Sequence, residues 1–150
     1  MAAFHFKFEP LLRYRKNRLD LCQQLLAQVL TQQAELSQKK ESLRRNTLAQ
    51  LDELRALGRE PSLRVERAAT RRQYVGQLAV EIRVVEQCQN IVARQIDLCR
   101  RTVLLAERDV KVLEKLEEKH AAEFHYLQQR LEVRTLDESW RPSAVANASS

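Results

Sequence analysis

From Val75 to Leu131, apolar side chains recur at alternating steps of three and four residues. The positions are Val75, Leu78, Ile82, Val85, Gln89, Val92, Ile96, Cys99, Val103, Ala106, Val110, Leu113, Glu117, His120, Phe124, Leu127 and Leu131. Fourteen of these seventeen are apolar, and charged residues flank them. A seam of this length and period specifies a left-handed coiled coil. It needs a partner helix, because a helix exposing so long a stripe would not stay monomeric in water. The chain supplies one: Leu12, Arg15, Leu19, Cys22, Leu26, Val29, Gln33, Leu36, Lys40, Leu43 and Thr47 follow the same spacing. That first seam then drifts to Leu48, Leu51 and Leu54, in the manner of a stutter.

Breakers divide the pattern. Only two glycines and three prolines occur in 150 residues, which excludes turn-rich β and α/β designs. Pro10 suits the first turn of a helix. Gly58-Arg59-Glu60-Pro61 reads as a glycine stop and a short turn before Ser62, an N-cap. The expected fold is therefore all-α, a long antiparallel coiled-coil hairpin forming a single domain over residues 1–140. Its helices run over about 10–57 and about 62–140, roughly 70 Å and 115 Å at 1.5 Å per residue, joined by a turn at 58–61. Gly76 is read as tolerated within the second helix at about 1 kcal/mol relative to alanine. The small, polar residues 141–150 are expected to be a disordered tail.

Folding the chain about position 61 sets the register. Leu12 comes opposite Val110, Leu19 opposite Val103, Cys22 opposite Cys99, Leu26 opposite Ile96, Val29 opposite Val92, Leu36 opposite Val85 and Leu43 opposite Leu78. Gln33 falls opposite Gln89, a polar layer that would fix register. The second helix is longer and overhangs at the end carrying the chain termini. Along this overhang run Leu113, Leu116, Phe124, Leu127 and Leu131, covered near its base by Phe4, Phe6 and Phe8 and bare beyond. An uncovered amphipathic helix of this kind suits protein binding or oligomerisation.

Other chemistry finds little support. The longest apolar runs, such as Val103-Leu104-Leu105-Ala106, are far short of the ~20 residues that span a bilayer. No basic segment followed by an apolar stretch marks a signal peptide, so a soluble, cytosolic protein is expected. Cys22, Cys88 and Cys99 are odd in number and lie in helical patterns, which fits reduced thiols. Glu117 and His120 have the spacing of half a di-iron site without its other half. His5, His120 and His125 make no metal cluster, and no phosphate loop or nucleophile–base pattern occurs. No enzyme activity, metal or cofactor is expected. The net charge of +6 and the pairs Arg44-Arg45, Arg71-Arg72 and Arg100-Arg101 admit a basic nucleic-acid-binding or tethering coiled coil as an alternative. Interspersed acids and scarce aromatics fit a solvated helix face better, so nucleic acid is not an expected partner.

Both ends carry a resemblance. Phe6-Lys7-Phe8-Glu9-Pro10-Leu11-Leu12-Arg13-Tyr14-Arg15, an F-x-F-x-x-L-L-x-x-R segment, resembles the opening of the flagellar FliJ family. Leu113-Glu114-Lys115-Leu116-Glu117-Glu118-Lys119-His120 and Leu131-Glu132-Val133-Arg134-Thr135-Leu136-Asp137-Glu138 resemble its closing pattern. The resemblance implies a cytoplasmic component of the flagellar type III export apparatus, peripheral on the inner membrane at the flagellar base. It implies a coiled coil similar to that of the F1-ATPase γ subunit, serving protein export, flagellum assembly and so motility and chemotaxis. Its implied partners are the hexameric export ATPase, the cytoplasmic domain of the export gate and the export chaperones. The ATPase-binding face expected on this basis comprises Phe8, Leu12, Arg13, Arg15, Phe124, Leu127, Arg130, Leu131, Arg134, Asp137 and Glu138, with Tyr74 facing the gate. The stalk protein of the virulence-type injectisome is the alternative within the same class.

Overall fold

The structure, a computed structural model, describes residues 2–59 and 65–148, with backbone alone for 141–148. Two long helices pack against each other as a hairpin: α1 (Glu9–Leu57) and the longer α2 (Val65–Ala148). At the start of α1, the Phe8 carbonyl accepts a hydrogen bond from the Leu12 amide at 2.9 Å, and the Glu9 amide donates to the Phe6 carbonyl at 3.2 Å. Pro10 sits in this first turn, where its missing N–H costs nothing, and Glu9 places an acid at the positive end of the helix.

Gly58 ends α1, its amide donating to the Leu54 carbonyl at 3.1 Å. It does so without a left-handed backbone, and an added Cβ would meet only the carbonyl oxygens of Arg55 at 3.6 Å and Leu54 at 3.7 Å. The stop therefore comes from glycine's poor helix propensity rather than from a conformation closed to other residues. The rest of the expected turn, Glu60 and Pro61, and the expected cap Ser62 lie outside the described residues. At its other end α2 is helical through Ala148, beyond the boundary expected near Trp140. Pro142 removes one backbone donor from that stretch, but Ala144, Ala146 and Ala148 are strong helix formers that favour continuation.

The chain forms two compact units, Leu21–Val103 and Met1–Asp20 with Leu104–Ser150. In Leu21–Val103, Val29, Val92 and Ile96 make a buried cluster against which Leu26, Leu36 and Cys99 pack. The expected pairs Val29/Val92 and Leu26/Ile96 thus meet in one cluster. Leu78 and Val85 are buried further along α2. The Gln33/Gln89 layer is not formed: Gln33 is exposed and Gln89 half-buried, and among the described residues no hydrogen bond joins them. The polar link across this seam is instead Lys40 to Glu86, at 3.2 Å.

The stutter is also absent. Thr47, Gln50, Leu54 and Leu57 continue the seam half-buried, while Leu48 and Leu51 point outward at 63% and 36% exposure. Polar side chains hold the seam here because each has a partner: Thr47 donates to the Leu43 carbonyl of its own helix at 2.8 Å, and α2 answers Gln50. The Arg71 guanidinium pairs with Glu53 and donates to Gln50 Oε1 at 3.4 Å, and Asn46 Nδ2 donates to the Tyr74 hydroxyl at 2.9 Å. Gly76 faces open space, and a methyl group added there would meet no neighbour within 4 Å.

In the unit carrying the amino end, Phe6, Leu12 and Val110 form the core, with Phe4, Phe8, Leu19, Leu113 and Leu116 packed on it. Arg15 binds Asp109 at 2.8 Å, and Lys16 approaches Glu114 at 3.9 Å. Both pairs span α1 and α2 beside the buried Leu12 and Val110, fixing the antiparallel pairing with charge on its rim.

Candidate interaction face

α1 begins at Glu9, so α2 past about Leu113 has no helix opposite it. The non-helical stretch ahead of α1 takes over. Phe4, Phe6 and Phe8 alternate with exposed His5 and Lys7, and this alternation turns all three rings toward α2. Phe6 is buried to 6% exposure, its ring 5.8 Å from Phe8 and 5.9 Å from the His120 imidazole, both edge-on. Phe4 lies 5.6 Å from Phe124. Aromatic pairs in such arrangements contribute about 0.5–1.5 kcal/mol each beyond their buried area. At its far end, Gln128 donates to the Ala2 carbonyl at 3.4 Å, the last contact of this strap with α2 among the described residues.

Past Gln128 every side chain up to Trp140 is exposed. Leu127 and Leu131 continue the seam of Phe124 at 59% and 60% exposure. They line a shallow cleft with Arg130 and Arg134. A neighbouring cleft is lined by Tyr126, Gln129, Arg130, Val133 and Arg134, with the Arg130 guanidinium over the Tyr126 ring at 5.9 Å. Apolar floor and basic rim together make a surface that can seat an apolar side chain and orient an acidic partner.

The residues expected at this face divide into two groups. Leu127, Arg130, Leu131, Arg134, Asp137 and Glu138 are exposed together on the bare part of α2. Leu12 is buried to 4% in the core, Phe8 and Phe124 are half-buried in the aromatic cluster, and Arg15 is engaged by Asp109. These four build the base of the face rather than its open surface. Arg13 is exposed, 4.0 Å from Glu9. Tyr74 is 39% exposed and receives the Asn46 hydrogen bond. The seam spacing did not reveal Tyr126, Val133 and Trp140, which stand exposed at 60%, 58% and 75%. Their seven-residue spacing on the other side of α2 was the available signal.

Among the described residues no group of three His, Cys, Asp or Glu side chains could hold a metal ion. Among them, too, no helix is long and apolar enough to cross a membrane. The family described as Flagellar FliJ protein matches residues 4–144 of the chain. Comparison with curated proteins and with solved structures gave no match.

Proposed function

The chain belongs to the flagellar FliJ family, structural components of the flagellar export apparatus that are not known as enzymes, and from that premise we propose that it works as a non-catalytic stalk. In this reading the bare part of α2 enters the centre of the hexameric export ATPase. The observation that carries it is the continuation of the seam, at Leu127 and Leu131, beyond the last contact of the strap. An apolar stripe already shaped for helix packing, with none of the described residues laid over it, is suited to a bundle completed by another protein.

Arg130 and Arg134 would meet acidic groups around the ring opening, acting on orientation and association rate more than on affinity. Arg13, Asp137 and Glu138 would complete the rim. Tyr74, held by Asn46 on the turn-side unit, is the proposed contact to the cytoplasmic domain of the export gate. Export chaperones complete the proposed set of partners, and the protein would be held at the cytoplasmic face of the inner membrane through them. The flagellar family match favours this machine over the injectisome.

The test is co-purification and ATPase stimulation with the cognate export ATPase, comparing the parent chain with a Leu127→Ala, Leu131→Ala double variant. Losing two central apolar anchors should weaken binding by roughly tenfold or more. Undiminished binding and stimulation would place the contact elsewhere.

A further inference from the structure

The strap ahead of α1 has a tied base and a lightly held tip. At the base, Phe6 is buried with Leu12 and Val110. Its carbonyl accepts from the Glu9 amide and the Phe8 carbonyl accepts from the Leu12 amide, so the base is fastened into the first turn of α1. The tip, Ala2 to His5, has no backbone bond of this kind among the described residues. Ala2, Ala3 and His5 are exposed, and Phe4 is half-buried, packed on the core and against the Phe124 ring. Among the described residues, the one hydrogen bond from α2 to the tip is that of Gln128 to the Ala2 carbonyl. At 3.4 Å it is longer than the usual N–H···O range of about 2.7–3.2 Å.

The tip sits where the bare stretch of α2 lacks an anchor. Beyond Phe124 the seam offers Leu127 and Leu131, both exposed, and then turns polar at Arg134 and Glu138. Two leucines one turn apart fall short of the i, i+3 or i+4, i+7 set by which an amphipathic helix is held in a groove. Phe124 completes that set, three residues before Leu127 and seven before Leu131. It carries the largest side chain of the three, and Phe4 is the ring packed on it. A partner surface laid along Leu131 and Leu127 therefore meets Phe4 at its next contact.

We propose that Phe4 is a displaceable plug: the partner that packs on Leu127 and Leu131 moves the tip off α2 and takes Phe124 as its third anchor, while Phe6 and Phe8 keep the base of the strap in place. The partner is the export ATPase of the stalk reading, and the proposal rests on that reading for the partner's identity alone. With Phe4 seated, only the fraction of molecules whose tip is open is competent to bind at all three anchors, and the apparent affinity falls by that fraction. The exchange is nearly balanced, since the partner replaces one ring contact and one long hydrogen bond with an apolar contact of its own. Phe4 thereby acts as a threshold. A surface that reaches only the two leucines leaves the plug seated, whereas one whose apolar face continues to Phe124 gains the full site, which separates the two by a difference of affinities.

Two probes are titrated with the full chain: the cognate export ATPase, and a labelled amphipathic peptide of about four turns with a leucine seam, followed by fluorescence anisotropy. Phe4→Ala should tighten the binding of both by roughly two- to tenfold, the range that one aromatic pair spans. Phe4 lies outside the helices, so helix content by circular dichroism should be unchanged. Phe124→Ala should weaken binding more in the Phe4→Ala chain than in the parent, because in the parent it unseats the plug as it removes the anchor. Unchanged or weaker peptide binding by the Phe4→Ala chain would overturn the proposal, as would a Phe124→Ala substitution without effect in that chain. So would a Phe4→Ala chain that dimerises by sedimentation equilibrium and gains nothing for either probe, which would give the site to a second copy. A gain for the peptide without one for the ATPase would support the plug and overturn the stalk reading.

Discussion

Phe124 and Leu131 occupy the same heptad position on the same helix, seven residues apart, and meet opposite fates. Phe124 is half-buried under Phe4, whereas Leu131 is 60% exposed. Nothing in the local pattern distinguishes them, since both are large, apolar and in phase with the buried Val110. The difference lies in reach. Among the described residues, the stretch 2–8 ahead of α1 lies over α2 as far as Gln128, which donates to the Ala2 carbonyl. An apolar seam states what a helix can bury; the length of the element laid over it decides how much is buried and how much is left for a partner.

If that distinction is right, substitutions should sort by coverage rather than by residue size. Phe6→Ala should cost the most, about 3 kcal/mol, read by chemical denaturation, and hydrogen exchange should quicken at the α2 amides under the strap. A cost below about 1 kcal/mol would mean that the strap rests on α2 without holding it. Leu116→Ala, half-buried beneath the strap, should cost roughly 1–2 kcal/mol. Gly76→Ala approaches the same point from an open surface. With nothing near the added methyl, it should gain about 0.5–1 kcal/mol through propensity alone, seen as a higher melting temperature, and a loss would reveal a neighbour at that face. Leu131→Ala should change stability by about 0.5 kcal/mol or less. A larger destabilisation would show that the bare stretch is already packed in the free protein.

Most of the α2 seam could be read from its sequence, because every expected position from Val75 to Phe124 is buried or half-buried. Apolar side chains mark a seam whenever the partner is also apolar. Near the turn that signal misled: Leu48 and Leu51 drew the reading outward, while Thr47 and Gln50 kept the seam. Thr47 is acceptable there because its hydroxyl donates to the Leu43 carbonyl one turn back, and Gln50 because Arg71, twenty-one residues on in the chain, donates to it; apolar periodicity within one helix carries no information about either. Gln33 failed for the converse reason. Two amides facing each other by register still need side chains that turn inward, and Lys40 with Glu86 supplies the polar link one heptad away instead. Of the candidate face, the bare residues were legible from the end of α1. Leu12, placed there by the family resemblance, is instead buried against Phe6 and Val110.

The helix pair also has no deep interior. Even Leu78, the most sheltered of the buried side chains, retains 2% of its surface, and many large apolar side chains stand on the outside. Unfolding such a molecule hydrates little new apolar surface per residue. Because that hydration sets the heat-capacity increment, the increment should fall below the ~12–15 cal/mol/K per residue of globular domains. Differential scanning calorimetry on the isolated chain would detect this, and a globular value would contradict it. The practical outcome is a shallow stability curve, so the free energy that keeps the two helices paired would change little over a wide span of temperatures.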